Sequence, residues 1–187
     1  MTITMLRKHI AASPNPPSAP RLRMEPTGAH RTLLDGGWWP RSTDPVAELP
    51  GLVLAIDGLR GPVTRLVLSA HGWDSQPLRL RVGDRVLRLG YFSSQPVSLL
   101  TALCGNGDRV DLLVVAPGTE PGQADAAMLL AATTGNLVHA QNILAHLDTL
   151  PRSDTSDTAQ RVWEDDGGPL VAAAPRPTGI RQPLASA

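Results

Sequence analysis

The chain has 187 residues, 42% of them apolar, with a formal net charge of zero and a mean hydropathy of −0.07. That is enough apolar material for one domain with a real core, and the charge balance excludes a globally basic nucleic-acid binder. No apolar run approaches the ~20 residues that a membrane span needs.

Met1 to Ile10 carries Arg7 and Lys8 with no apolar stretch behind them, so no secretory leader is expected. Ser13 to Pro20 reads SPNPPSAP, which suits neither helix nor central strand. Residues 1–20 therefore read as a disordered or extended lead, and residues 21–149 as a single domain. Arg21-Leu22-Arg23-Met24 alternates polar and apolar, a short strand pattern. Gly36-Gly37 reads as a turn leading into Trp38 and Trp39, two of only four tryptophans. Asp44-Pro45 is a helix start, with Asp44 as N-cap and Pro45 in the first position. Val46, Leu49, Leu52, Val53 and Ile56 follow as one helical stripe. Pro50 interrupts it, which predicts a kink or two abutting short helices.

Val63 to Ser69 reads as a strand. Leu78 to Leu89, LRLRVGDRVLRL, reads as a hairpin turning at Gly83-Asp84. That register sets Leu80 against Leu87 on one face and Arg79 against Arg88 on the other, beside Arg81. Opposed like charges are unfavourable, so either an acid or anion sits between them or the register is wrong. Asn106-Gly107 predicts a type I′ turn between Leu99–Cys104 and Arg109–Val115. The unbroken apolar run Leu112 to Val115 suits a central strand covered on both sides. Thr119 is the expected cap of a helix running to about Ala132, with Ala126, Leu129, Leu130 and Thr133 as its stripe. Asn136 is the expected cap of the next, with Ala140, Ile143, Leu144 and Leu147. From Pro151 the chain is Ser/Thr/Asp-rich and then Gly/Pro/Ala-rich, so residues 150–187 read as a disordered tail. The expected class is α+β: an antiparallel sheet of about five strands built from hairpins, with two or three helices.

Asp35-Gly36-Gly37-Trp38-Trp39-Pro40-Arg41-Ser42-Thr43-Asp44-Pro45 is followed by Ala47-Glu48-Leu49-Pro50, then His71-Gly72-Trp73-Asp74, Arg88-Leu89-Gly90, Ser94-Gln95 and Leu112 to Pro117. In that order and spacing the chain resembles an uncharacterised actinobacterial family of small single-domain proteins, over roughly residues 21–135. The resemblance implies a domain of unknown function, with no established catalytic residues to carry over. The family's usual diproline departs here to Ala116-Pro117.

Charge is spread unevenly. Residues 60–109 carry seven basic and three acidic groups, and residues 110–149 carry four acidic groups and no Lys or Arg. The single cysteine, Cys104, excludes an intrachain disulfide and suits a reducing cytoplasm, the expected location. It reads as a small buried side chain, with no base nearby in sequence. Around the loops, Trp38, Trp39, Arg41, His71, Trp73 and Asp74 form the candidate ligand or partner site. Alternation along the chain allows one indole inward and one outward: either both are packing and turn anchors, or the outward one forms a contact surface. Arg41 with Asp35 or Asp74 suits an ion pair. Arg79, Arg81 and Arg88 form a candidate anion site.

His71 with Asp74 is the one arrangement that suggests a general base, and no nucleophile elbow accompanies it. His139 and His146 lie about two turns apart, too far to chelate one ion. No phosphate cradle is present, and no metal or cofactor is expected. Trp163, in an acidic stretch, resembles a short docking segment. The sequence thus reads as a non-enzymatic binding or interaction module using the Trp38-Trp39 loop. The alternatives are anion or nucleic-acid contact through Arg79, Arg81 and Arg88, and an enzyme using His71 and Asp74. Base readout has no support, but salt-sensitive backbone contact stays open.

Overall fold

Strand pairing organises the molecule, and the computed structural model describes it over residues 10–27 and 32–149. Seven strands form: β1 (Leu22–Met24), β2 (Gly36–Trp38), β3 (Val63–Ser69), β4 (Arg79–Val82), β5 (Arg85–Phe92), β6 (Leu99–Cys104) and β7 (Arg109–Val114). They lie in one sheet in the order β1-β2-β7-β6-β3-β5-β4. The α+β class stands, but the sheet is larger than the five strands expected and is mixed. β2 runs parallel to β7, and β3 parallel to β5. Hairpin signals report only neighbours in sequence, and both parallel pairs join strands far apart in the chain.

β2 is the strand the sequence hid. A Cβ on Gly37 would stand 2.8 Å from the Met128 Cα, and one on Gly36 2.2 Å from the Arg23 carbonyl oxygen. The two glycines thus allow close backbone approach within a strand instead of making a turn. The β4–β5 hairpin has the expected register, with Leu80 opposite Leu87 and Arg79 opposite Arg88 across Gly83-Asp84. The β6–β7 connection differs from a two-residue type I′ turn, which needs positive φ at both central residues. Gly107 alone adopts it, at φ 93°, and the Cys104 N–H donates to the Asp108 carbonyl at 2.8 Å around a longer loop.

α1 (Pro45–Arg60) begins as expected, the Asp44 carboxylate accepting the Val46 N–H at 2.9 Å. It passes through Pro50 as one unbroken helix. Pro50 lies just past the first turn, so its missing N–H costs one bond at the helix start and does not split a long ladder. Leu49, Leu52, Val53 and Ile56 are buried against the strands, in one core with Leu66, Leu68, Leu80, Leu87 and Leu100. Apolar burial of this kind stabilises by about 25 cal/mol per Å².

The opposite sheet face is covered by α2 (Pro121–Ala131) and by α3 (Ile143–Thr149), the latter preceded by a 3-10 turn at Ala140–Asn142. Glu120, not Thr119, caps α2, accepting the Gln123 N–H at 3.0 Å. The buried residues of α2 are Ala124, Ala127, Met128 and Ala131, while Leu129 of the expected stripe is exposed. The close approach to Gly37 selects this small-residue face. Asn136 does not cap the last helix; its buried side chain accepts the Val138 N–H at 2.9 Å. β7 lies between the two layers, with Val110 and Leu112 in the first core and Leu113, with Val115 just past the strand, in the second. At the far edge, the Ala11 N–H donates to the Arg79 carbonyl and the Arg81 N–H to the Ala11 carbonyl, at 3.0 and 2.8 Å. The tail assigned to residues 150–187 lies outside the described residues, and Trp163 with it.

Candidate functional site

Trp38 and Trp39 point to opposite sheet faces, as extended backbone requires. Trp38 enters the first core and Trp39 the second. Because both faces are covered at this point, both indoles are buried, at 1% and 8% exposure. Of the two readings, the packing one holds, and neither indole faces outward. Trp38 stacks on the half-buried Trp73, with ring centroids 6.1 Å apart. The Trp39 indole N–H donates to the Ala116 carbonyl at 3.2 Å. Arg21 lies over the Trp39 ring at 3.5 Å and donates to the Trp39 and Pro40 carbonyls at 2.9 and 2.7 Å. These contacts lock the segment as a structural joint.

The loop polar residues do not converge. Arg41 donates to the Ala19 carbonyl at 3.0 Å, and its backbone N–H to Glu48 at 3.1 Å. It meets neither Asp35 nor Asp74. Asp74 accepts the Thr43 hydroxyl at 2.8 Å. The exposed His71 makes its contact through the backbone, to the Ser69 hydroxyl at 3.2 Å. No hydrogen bond or ion pair joins His71 to Asp74 among the described residues.

Asp35 is tied elsewhere, accepting the Asp111 N–H at 2.8 Å. Burial raises its pKa above the usual aspartate value, against the opposing effect of that bond. Burial also pushes the Cys104 thiol up, which disfavours the thiolate a nucleophile needs.

The arginines do converge. On β3, β5 and β4 the side chains facing away from the α1 core include Arg65, Arg88, Arg79 and Arg81. Arg79 pairs with Arg88, and Arg88 pairs in turn with Arg65 on the next strand. The same rung continues through Leu103 of β6 to Arg109 of β7. No residue of β3, β4 or β5 belongs to the core under α2 and α3, so those helices cover only the other half of this face. Along β3 to β7 this face carries five arginines and one acid, Asp111. Arg109 holds that acid at 2.8 Å. Arg65, Arg79, Arg81 and Arg88 form no ion pair among the described residues.

Phe92, 44% exposed, shares this surface. The sequence singled out Arg79, Arg81 and Arg88 but missed Arg65, Arg109 and Phe92. The alternation Arg65-Leu66-Val67-Leu68 puts Arg65 opposite the leucines. Which strand lies beside it is set by long-range pairing.

Among the described residues, no helix is long and apolar enough to cross a membrane. No group of three or more His, Cys, Asp or Glu among them could hold a metal ion. No curated protein and no solved structure matches the chain. The model of one family, DUF5994, a family of unknown function, matches residues 21–131, which spans β1 to α2 with both the tryptophan joint and the arginine face, and the chain belongs to that family.

Proposed function

We propose that this chain is a binding module whose working surface is the half of the sheet that α2 and α3 leave uncovered, where the arginine row takes an anionic ligand. One observation carries the reading: Arg79, Arg88 and Arg65 stand in register on three neighbouring strands, without an acid among them. Strands lie ~4.8 Å apart. Like charges held at that spacing repel, and a bound anion turns the repulsion into attraction. Arginine is suited to the task, since its planar fork matches phosphate, sulfate and carboxylate oxygens two at a time. The tryptophan loop loses support as a contact surface because both indoles are committed to packing. Catalysis by His71 and Asp74 loses support because the pair is not formed.

The test is titration of the full chain with fluorescent heparin, a sulfated polyanion, at low and at physiological ionic strength. Binding should be present at low salt, weaken steeply as salt rises, and be lost in the triple variant Arg65→Gln, Arg79→Gln, Arg88→Gln. An absence of binding at low ionic strength, or equal binding by the triple variant, rejects the reading.

A further inference from the structure

The arginine row shares its surface with an aromatic ring. Phe92 ends β5 and faces the same side as Arg88, four residues earlier in the strand. Gly90 stands between them. A Cβ built on Gly90 would meet the Phe92 ring (Cε2) at 2.9 Å and the Arg65 guanidinium (Nη2) at 3.4 Å. The glycine therefore leaves open the place over which the ring and the guanidinium converge. A side chain there would displace Phe92 from the sheet. An exposed phenyl ring is thus seated beside a guanidinium, at the margin of a row of arginines, on a sheet face that no helix covers among the described residues.

Resting on the anion-binding reading above, we infer that the ligand of this face is a single-stranded nucleic acid, its phosphates on the arginine row and a base stacked on Phe92. Charge complementarity sets the sign of the partner. The rung from Arg79 to Arg109 crosses four strand spacings, ~19 Å, an extended track and not a single-ion pocket. The ring narrows the partner further. Carboxylates of an acidic peptide satisfy guanidiniums but make no use of an exposed phenyl face. Unstacked bases do, on aromatic rings and on arginine planes alike. A duplex fits poorly, because reading its major groove takes a helix or two-stranded ribbon inserted into the groove. This face is the broad surface of a sheet. At the Arg109 end the track meets a cavity of about 260 Å³ lined in part by Leu34, Leu99, Asp111 and His139. It offers mixed apolar and polar walls to a base turned out of the strand.

Fluorescence anisotropy with labelled oligonucleotides tests this on the full chain. The same sequence is offered single-stranded and as a duplex, with heparin and phosphatidylserine vesicles in parallel. The single strand should bind about 10-fold more tightly than the duplex. Loss of one stacked base contact corresponds to roughly 5- to 150-fold, so Phe92→Leu should weaken the single strand by ~10-fold or more while heparin binding stays unchanged. Phe92→Tyr should retain the single strand, which separates stacking from any loss of folding. Arg88→Gln should weaken both ligands.

Equal single-strand affinity for Phe92→Leu and the unaltered chain overturns the inference, as does preference for duplex or vesicles. In those cases heparin binding leaves the anion-binding reading standing. Failure to bind heparin as well rejects both.

Discussion

Arg88 lies between two like charges, and neutralising it should make the fold more stable while weakening its ligand binding. Arg79 is opposite it on β4 and Arg65 opposite it on β3. Cross-strand charge pairs are worth roughly 0.2–1 kcal/mol each, with like pairs unfavourable. Coulomb's law in water gives about 0.6 kcal/mol for charges ~7 Å apart. Arg88→Gln keeps most of the aliphatic stem and removes both repulsions, so the expected gain is about 1 kcal/mol at low ionic strength. For a domain of this size that is a rise in Tm of about 4 °C. The assay is thermal unfolding followed by circular dichroism at low salt and near 0.5 M, where the Debye length falls to about 4 Å. The gain should shrink toward zero at high salt. Added heparin should raise the Tm of the unaltered chain more than that of the variant, since a ligand stabilises the state it binds. A lower Tm for Arg88→Gln at low salt refutes the reasoning, and so does a gain that high salt leaves unchanged. Either would mean that the arginines do not repel one another across the sheet.

Gly37→Ala would drive a Cβ to 2.8 Å from the Met128 Cα, so overpacking between β2 and α2 should cost roughly 1–3 kcal/mol by urea unfolding. Asp35 has a folded-state pKa raised by burial. Its neutral form is thus favoured in the fold, and its effect on stability worsens as pH rises from the ordinary aspartate value through the raised one. Asp35→Asn should flatten that part of the stability–pH profile, read by denaturant midpoints across the acid range. The Tyr91 hydroxyl is buried without a hydrogen-bond partner among the described residues, and burial lifts its pKa to about 12. Tyr91→Phe should therefore leave stability unchanged or raise it by about 1 kcal/mol in the same unfolding assay.

Local chemistry was legible in the sequence wherever it acts over a few residues. Asp44 and Pro45 start α1 because a carboxylate can reach an N–H two residues on and proline has no N–H to leave unpaired. Gly83-Asp84 sets the β4–β5 register, and with it the opposition of Arg79 and Arg88, because a two-residue turn leaves the flanking strands one pairing. Alternation also predicted correctly that Trp38 and Trp39 would part to opposite faces. What lies on those faces was decided by tertiary structure. Covering helices on both sides decided between a contact surface and two buried anchors, in favour of the anchors. Gly36-Gly37 looked like a turn because the reason for two glycines, the closeness of Arg23 and Met128, is a long-range contact. Likewise the parallel docking of β5 against β3 brings Arg65 beside Arg88. No local pattern encodes it, because strand neighbours far apart in sequence are chosen by which faces can be buried together. The hairpin arginines were visible in the chain; the open face they share with Arg65 and Phe92 exists only because α2 and α3 cover one half of the sheet and not the other.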